Sequence, residues 1–191
     1  MQNVVIRAIE RLDFRTKEAY KTLRTNLSFA GKNVKVISLT SCTPNEGKTS
    51  VSFQLCLSLA ESGKQTILVD ADLRKSVLRG RYKANREKYG LSHYLSGQVE
   101  LDDACCRTNV NNFDIIFAGP VPPNPSELLG GDAFRNMLEV LRMKYDYVIV
   151  DTPPLGSVID AAIVGAICDG TVIVVESGAI SYKFVQNVKE Q

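Results

Sequence analysis

Five short apolar runs, rich in Ile and Val, punctuate the chain: "KVISLT" (35–40), "QTILVD" (65–70), "FDIIFAG" (113–119), "YDYVIVD" (145–151) and "GTVIVVE" (170–176). Near-continuous runs of this length predict strands buried on both faces, as in a covered parallel sheet. Residues 48–62, 126–144 and 158–168 between them read as helices. Alternating strand and helix predicts right-handed βαβ units. The fold class is therefore α/β: a doubly wound, mainly parallel sheet with helices on both faces. Its ligand crevice lies beyond the carboxyl ends of the strands. The Pro-rich "GPVPPNPSE" (119–127) reads as a rigid surface loop in which Ser126 caps the helix that follows. Residues 181–191 start another helix and then stop, where a further strand is expected.

At 191 residues the chain suits a single domain over 1–191, with a core that needs neither metal nor disulfide. No apolar run approaches the ~18 residues of a membrane helix, and residues 1–20 lack the shape of a signal peptide. The expected location is cytoplasmic, which leaves room for a membrane-bound partner. The five cysteines form no CxxC and there is one histidine, so a structural zinc site would be hard to assemble and buried, reduced thiols are expected. A net charge of +2 hides two basic segments, residues 1–35 and Arg74–Lys88. Neither is interleaved with aromatics, which argues against a nucleic-acid partner. Each is a solvated face or a surface for something acidic.

The chemistry gathers at three strand ends. After "KVISLT" comes "SCTPNEGKTS", a loop of phosphate-gripping type ending in Gly47-Lys48-Thr49, with Cys42 where such loops usually open on glycine. The loop's function needs backbone amides rather than a particular side chain, so Pro44, Asn45, Glu46, Gly47, Lys48, Thr49 and Ser50 form the candidate phosphate cradle. Lys48 would reach the β and γ phosphates and Thr49 would bind Mg²⁺. "ILVDADLR" sets Asp70 and Asp72 at the same sheet edge, and "YVIVDTPP" adds Asp151. Thr49, Asp70 and Asp151 offer the hard oxygens that Mg²⁺ takes, and Lys48, Asp70, Asp72 and Asp151 are the candidate catalytic set. The residues point to nucleotide, magnesium and phosphoryl transfer, without separating water from a protein hydroxyl as acceptor.

The combination resembles the bacterial tyrosine kinases that control capsule and exopolysaccharide assembly, members of the P-loop NTPases of the deviant Walker A group. "TSCTPNEGKTS", "ILVDADLR" and "YVIVDTPP" are similar to that family's Walker A, A′ and B motifs, and "GPVPPNPSELL" (119–129) matches its "PPNPxELL" loop. "EAYKTLRTNLSF" (18–29) is similar to the family's ring-forming helix, here about 16–30, with Glu18, Lys21 and Arg24 at its signature positions. Lys21 stands for the family's first arginine and loses the planar fork that grips a carboxylate.

The resemblance implies an ATP- and Mg²⁺-dependent protein-tyrosine kinase that autophosphorylates in trans and regulates polymerisation and export. It implies tyrosine-bearing protein substrates, a membrane-embedded polysaccharide co-polymerase or adaptor, and a homo-oligomeric ring with an octamer as candidate size. Asp70 is the preferred acceptor of the substrate proton. The family's C-terminal strand and Tyr-rich tail are expected to be absent, since the seven tyrosines are scattered. The alternative reading is an ATP-hydrolysing switch of the cell-division and partition type. Those proteins carry a signature lysine where this chain has Thr43.

Overall fold

The computed structural model describes residues 1–31, 33–85 and 88–190. Arg86 and Glu87 of the basic run, Lys32 and Gln191 therefore lie outside the described residues. The elements are β1 (Gln2–Val4), α1 (Phe14–Phe29), β2 (Val36–Ser41), α2 (Lys48–Glu61), β3 (Thr66–Asp70), α3 (Leu78–Arg81), α4 (Leu91–Leu95) and α5 (Leu101–Ala104). They continue with β4 (Cys106–Thr108), β5 (Phe113–Ile116), α6 (Pro125–Gly130), α7 (Asp132–Lys144), β6 (Tyr147–Asp151), α8 (Asp160–Gly165), β7 (Gly170–Val174) and α9 (Tyr182–Lys189).

One sheet runs in the order β1-β4-β5-β3-β6-β2-β7. The pairs are parallel except β4 with β5. All five expected strands are present. The three-residue strands β1 and β4 were not legible, because three residues carry no period.

Four of the apolar runs, those of β2, β3, β5 and β6, are largely buried on both faces, as their continuity requires. The fifth is not: β7 lies at the sheet edge and is only half-buried, because it has a strand neighbour on one side alone among the described residues. Ile67, Val69, Val148 and Val150 join one core with Phe134, Met137, Leu138 and Leu141 of α7. Their neighbours Leu68 and Ile149 point the other way, into a core with Phe53, Leu55 and Leu59 of α2. Alternate side chains of each strand thus anchor opposite helical layers.

Two expectations fail around the Pro-rich loop. The helix expected over 126–144 is two helices, broken at Gly131, whose backbone is extended (φ −78°, ψ 163°). Ser126 is not the cap. Asn124 holds that position with Pro125 in the first turn, where its missing N–H costs nothing. The Ser126 hydroxyl instead donates to Asp160 (2.6 Å).

Candidate active site

The sheet order places the site. The carboxyl ends of β3, β6 and β2 lie side by side, so Asp70, Asp151 and the loop after Ser41 meet at one edge although far apart in sequence. Asp70 and Asp151 are direct register partners, and Leu39 of β2 is level with Asp151.

In the loop, the left-handed backbone positions are Asn45 (φ 70°) and Gly47 (φ 85°). Cys42 needs no positive φ, which is why a side chain is tolerated where glycine is usual. The close approach falls on the other side: a Cβ on Gly156 would sit 2.3 Å from the Cys42 carbonyl oxygen. Glycine at 156 lets the segment after β6 lie against the loop. Glu46 braces the loop from within, its carboxylate accepting from the Thr43 amide (2.5 Å) and the Glu176 amide (3.4 Å). α2 starts at Lys48 with no side chain capping it, which leaves first-turn N–H groups for an anion.

The Lys48 ammonium ion-pairs with Asp151 Oδ1 (2.9 Å). The Thr49 hydroxyl donates to Asp151 Oδ2 (2.7 Å) and the Ser52 hydroxyl to Oδ1 (3.0 Å). Burial pushes the Asp151 carboxyl up, and Lys48 with the two hydroxyls pulls it back only in part. Asp70 is buried too and receives one hydroxyl, from Ser76, while its Oδ1 has no hydrogen-bond partner among the described residues. Burial first, then the neighbouring Asp151 charge, pushes its carboxyl up to about 8.

A buried carboxylate oxygen left without a donor is costly, so this pair of acids fits an arriving cation. Among the described residues no group of three His, Cys, Asp or Glu side chains gathers. The donor set of Thr49, Asp151 and Asp70 suits a hard ion that completes its shell with phosphate oxygens and water, as Mg²⁺ does.

A cavity of about 380 Å³ opens above, lined by Pro44, Asn45, Gly47, Lys48, Thr49 and Asp72 among others. Asp151 and Asp70 are each 1% exposed and sit below this surface. Asp72 differs from Asp70: it is half-buried on the cavity wall and accepts from the Lys75 amide (3.0 Å), holding its own turn.

Three contacts around the candidate site escaped the sequence. Ser76 covers Asp70. Arg74 grips the wholly buried Asp160 through two nitrogens (2.7 and 3.0 Å) and donates to Ser126 (2.8 Å), tying together the segments after β3, β5 and β6. Burial opposes charge on Asp160, but the hydrogen bonds from Arg74 and Ser126 outweigh it and hold the carboxyl below its usual range. An acid inside the apolar "SVIDAAIV" was its signal. Last, the Arg81 guanidinium donates to the Ser50 hydroxyl of the phosphate loop.

The predicted oligomerisation residues lie on α1. Glu18 and Lys21 pair within the helix (2.7 Å) and are about half exposed, whereas Arg24 turns to α2 and donates to the Ser58 carbonyl (2.6 Å).

A strand, a glycine-bearing loop, a lysine and threonine opening the next helix, and an acid on the adjacent strand define a P-loop nucleotide-binding protein. The AAA domain family matches residues 34–190. The tyrosine-protein kinase CpsD of Streptococcus agalactiae is 45% identical over 93% of this chain and 77% of its own length. The kinase domain of the Escherichia coli tyrosine kinase ETK superposes with a TM-score of 0.88 at 33% identity, over 100% of this chain and 84% of that one. The septum site-determining protein MinD from Pyrococcus horikoshii, complexed with Mg-ADP, scores 0.61 at 26% identity, over 73% of this chain and 57% of that one. This chain belongs to the bacterial tyrosine kinase family.

Proposed function

We propose that this chain is an ATP- and Mg²⁺-dependent protein-tyrosine kinase serving capsule or exopolysaccharide polymerisation and export. The observation that carries the reading is the meeting of Lys48, Thr49, Asp70 and Asp151 at one sheet edge beneath a cavity of phosphate-loop residues. The amides from Asn45 to Ser50 and the Lys48 ammonium bind the triphosphate. Lys48 must leave Asp151 to do so, and Thr49, Asp151 and Asp70 would hold the metal.

Magnesium supplies positive charge beside both acids and a Lewis acid for the phosphate oxygens. Without that charge, burial and Asp151 keep Asp70 protonated near neutral pH. Beside a bound metal Asp70 would ionise and accept the phenolic proton, and Asp72, on the wall of the nucleotide cavity, would complete the acidic set. A tyrosine hydroxyl, ordinarily near pKa 10, needs such help.

The helix α1 is the oligomerisation element of a homo-oligomeric ring, with Glu18 and Lys21 on its exposed side. A membrane-embedded adaptor is the activating partner and holds the chain at the membrane. Among the described residues no helix is long and apolar enough to cross a membrane. The switch-ATPase alternative loses ground because Thr43 occupies its signature-lysine position.

Radiolabelled ATP tests the activity: label is expected on tyrosine of an added tail peptide, whereas release of free phosphate alone refutes a kinase. Sedimentation tests the ring: Glu18→Ala should lower the mass of the assembly, and an unchanged mass reduces Glu18 to a surface ion pair worth under ~1 kcal/mol.

A further inference from the structure

A second and larger cavity, about 860 Å³, adjoins the first. Its walls include Arg79, Lys88 and His93 with the apolar Phe117 and Pro120. Its size suits a peptide segment. Two observations connect it to the chemistry. Ser76 stands on its wall and already donates a hydroxyl hydrogen to Asp70, the contact that an acceptor hydroxyl must make. Among the described residues the two cavities share two wall residues, Val77 and Arg81.

Arg81 is therefore the cation at the boundary between donor and acceptor space. Its guanidinium reaches Ser50, adjacent to Thr49, so its reach covers the mouth of the phosphate loop. The other arginine of the nucleotide cavity, Arg74, is committed to the buried Asp160, and Lys75 lines the donor side only. With Thr43 where related ATPases use a second lysine, Lys48 is the one loop cation for a group that gains charge on three oxygens in flight.

Resting on the proposed kinase activity, the geometry points to Arg81 as a catalytic residue that neutralises the phosphoryl group as it crosses from nucleotide to acceptor. In that step the tyrosine oxygen bonds to the γ-phosphorus and the bond from phosphorus to the β,γ-bridging oxygen breaks. ADP leaves with that electron pair, and the phenolic proton passes to Asp70. The guanidinium turns from Ser50 to the γ-phosphate oxygens, a fork matched to them. Its binding is strongest when phosphorus stands between the two oxygens, so it acts on rate more than on ATP affinity.

The test compares wild type, Arg81→Ala and Arg81→Lys in transfer of label from ATP to a tyrosine peptide, with ATP affinity measured calorimetrically in the absence of peptide. Arg81 is exposed, so neither substitution threatens the fold. Arg81→Ala should lower kcat on the order of a thousandfold, the scale of a cis or trans arginine in phosphoryl transfer, and leave ATP Kd within about threefold. Arg81→Lys should recover part of the loss. An unchanged kcat, a loss confined to peptide KM, or a loss confined to ATP affinity would each overturn the role. Hydrolysis by the wild type with no label on tyrosine would overturn the kinase reading and this role with it.

Discussion

Replacing Lys48 by methionine is expected to bring tyrosine phosphorylation to background, a loss of at least about a hundredfold to a thousandfold, while the chain stays folded. The ammonium is the positive charge that follows the phosphates, and methionine matches its length without the charge. The fold has more to lose than an exposed lysine would imply. Lys48 is 7% exposed and ion-paired with a carboxylate that is 1% exposed. Stripping one partner from a buried pair costs about 3–5 kcal/mol when the other keeps its charge. Asp151 escapes much of that, because burial already pushes its carboxyl up and it can take a proton. A fall in Tm of a few degrees is therefore expected by calorimetry, alongside loss of label transfer. Retention of more than about a tenth of wild-type transfer would remove Lys48 from the mechanism.

Asp70→Asn should have opposite effects on activity and stability. Loss of the proton acceptor is expected to lower transfer by about a hundredfold to ten-thousandfold. Stability should rise, and the sign follows from linkage. The folded Asp70 carboxyl titrates at about 8, against 3.8 when unperturbed. Between those values the native state keeps a proton that the unfolded chain has released, so wild-type stability falls as pH rises through this window and levels above it. Asparagine has nothing to ionise and removes that slope. The variant should match wild type near pH 4 and exceed it near pH 8 by several kcal/mol, as an order of magnitude. Urea titrations at the two pH values measure the gap. A gap of equal size at both would mean that Asp70 is not the titrating group. The stabilisation is what a functional acid in a dry site predicts: its placement is useful for chemistry and costly for folding.

The sequence by itself determined the strands of the central sheet, the phosphate loop and the identity of the acids, because each is written in contiguous residues. A run such as "YVIVD" states its own burial by having no polar alternation, and its terminal acid states where the polar edge begins. Gly47-Lys48-Thr49 likewise carries its backbone demand and its chemistry within a few letters.

Tertiary structure decided what depends on strand order. Asp70 and Asp151 became register partners because β3 lies beside β6, and burial first, with the Asp151 charge second, pushed the Asp70 carboxyl up. Ser126 left its expected cap position for Asp160, and Arg74 was spent on that same acid, because two helices and a loop converge there. Arg81 gained its place between two cavities by a contact with Ser50 in the first turn of α2. None of these is local. Side-chain contacts across dozens of residues are fixed by which elements pack together, and no period or motif within one element encodes that choice.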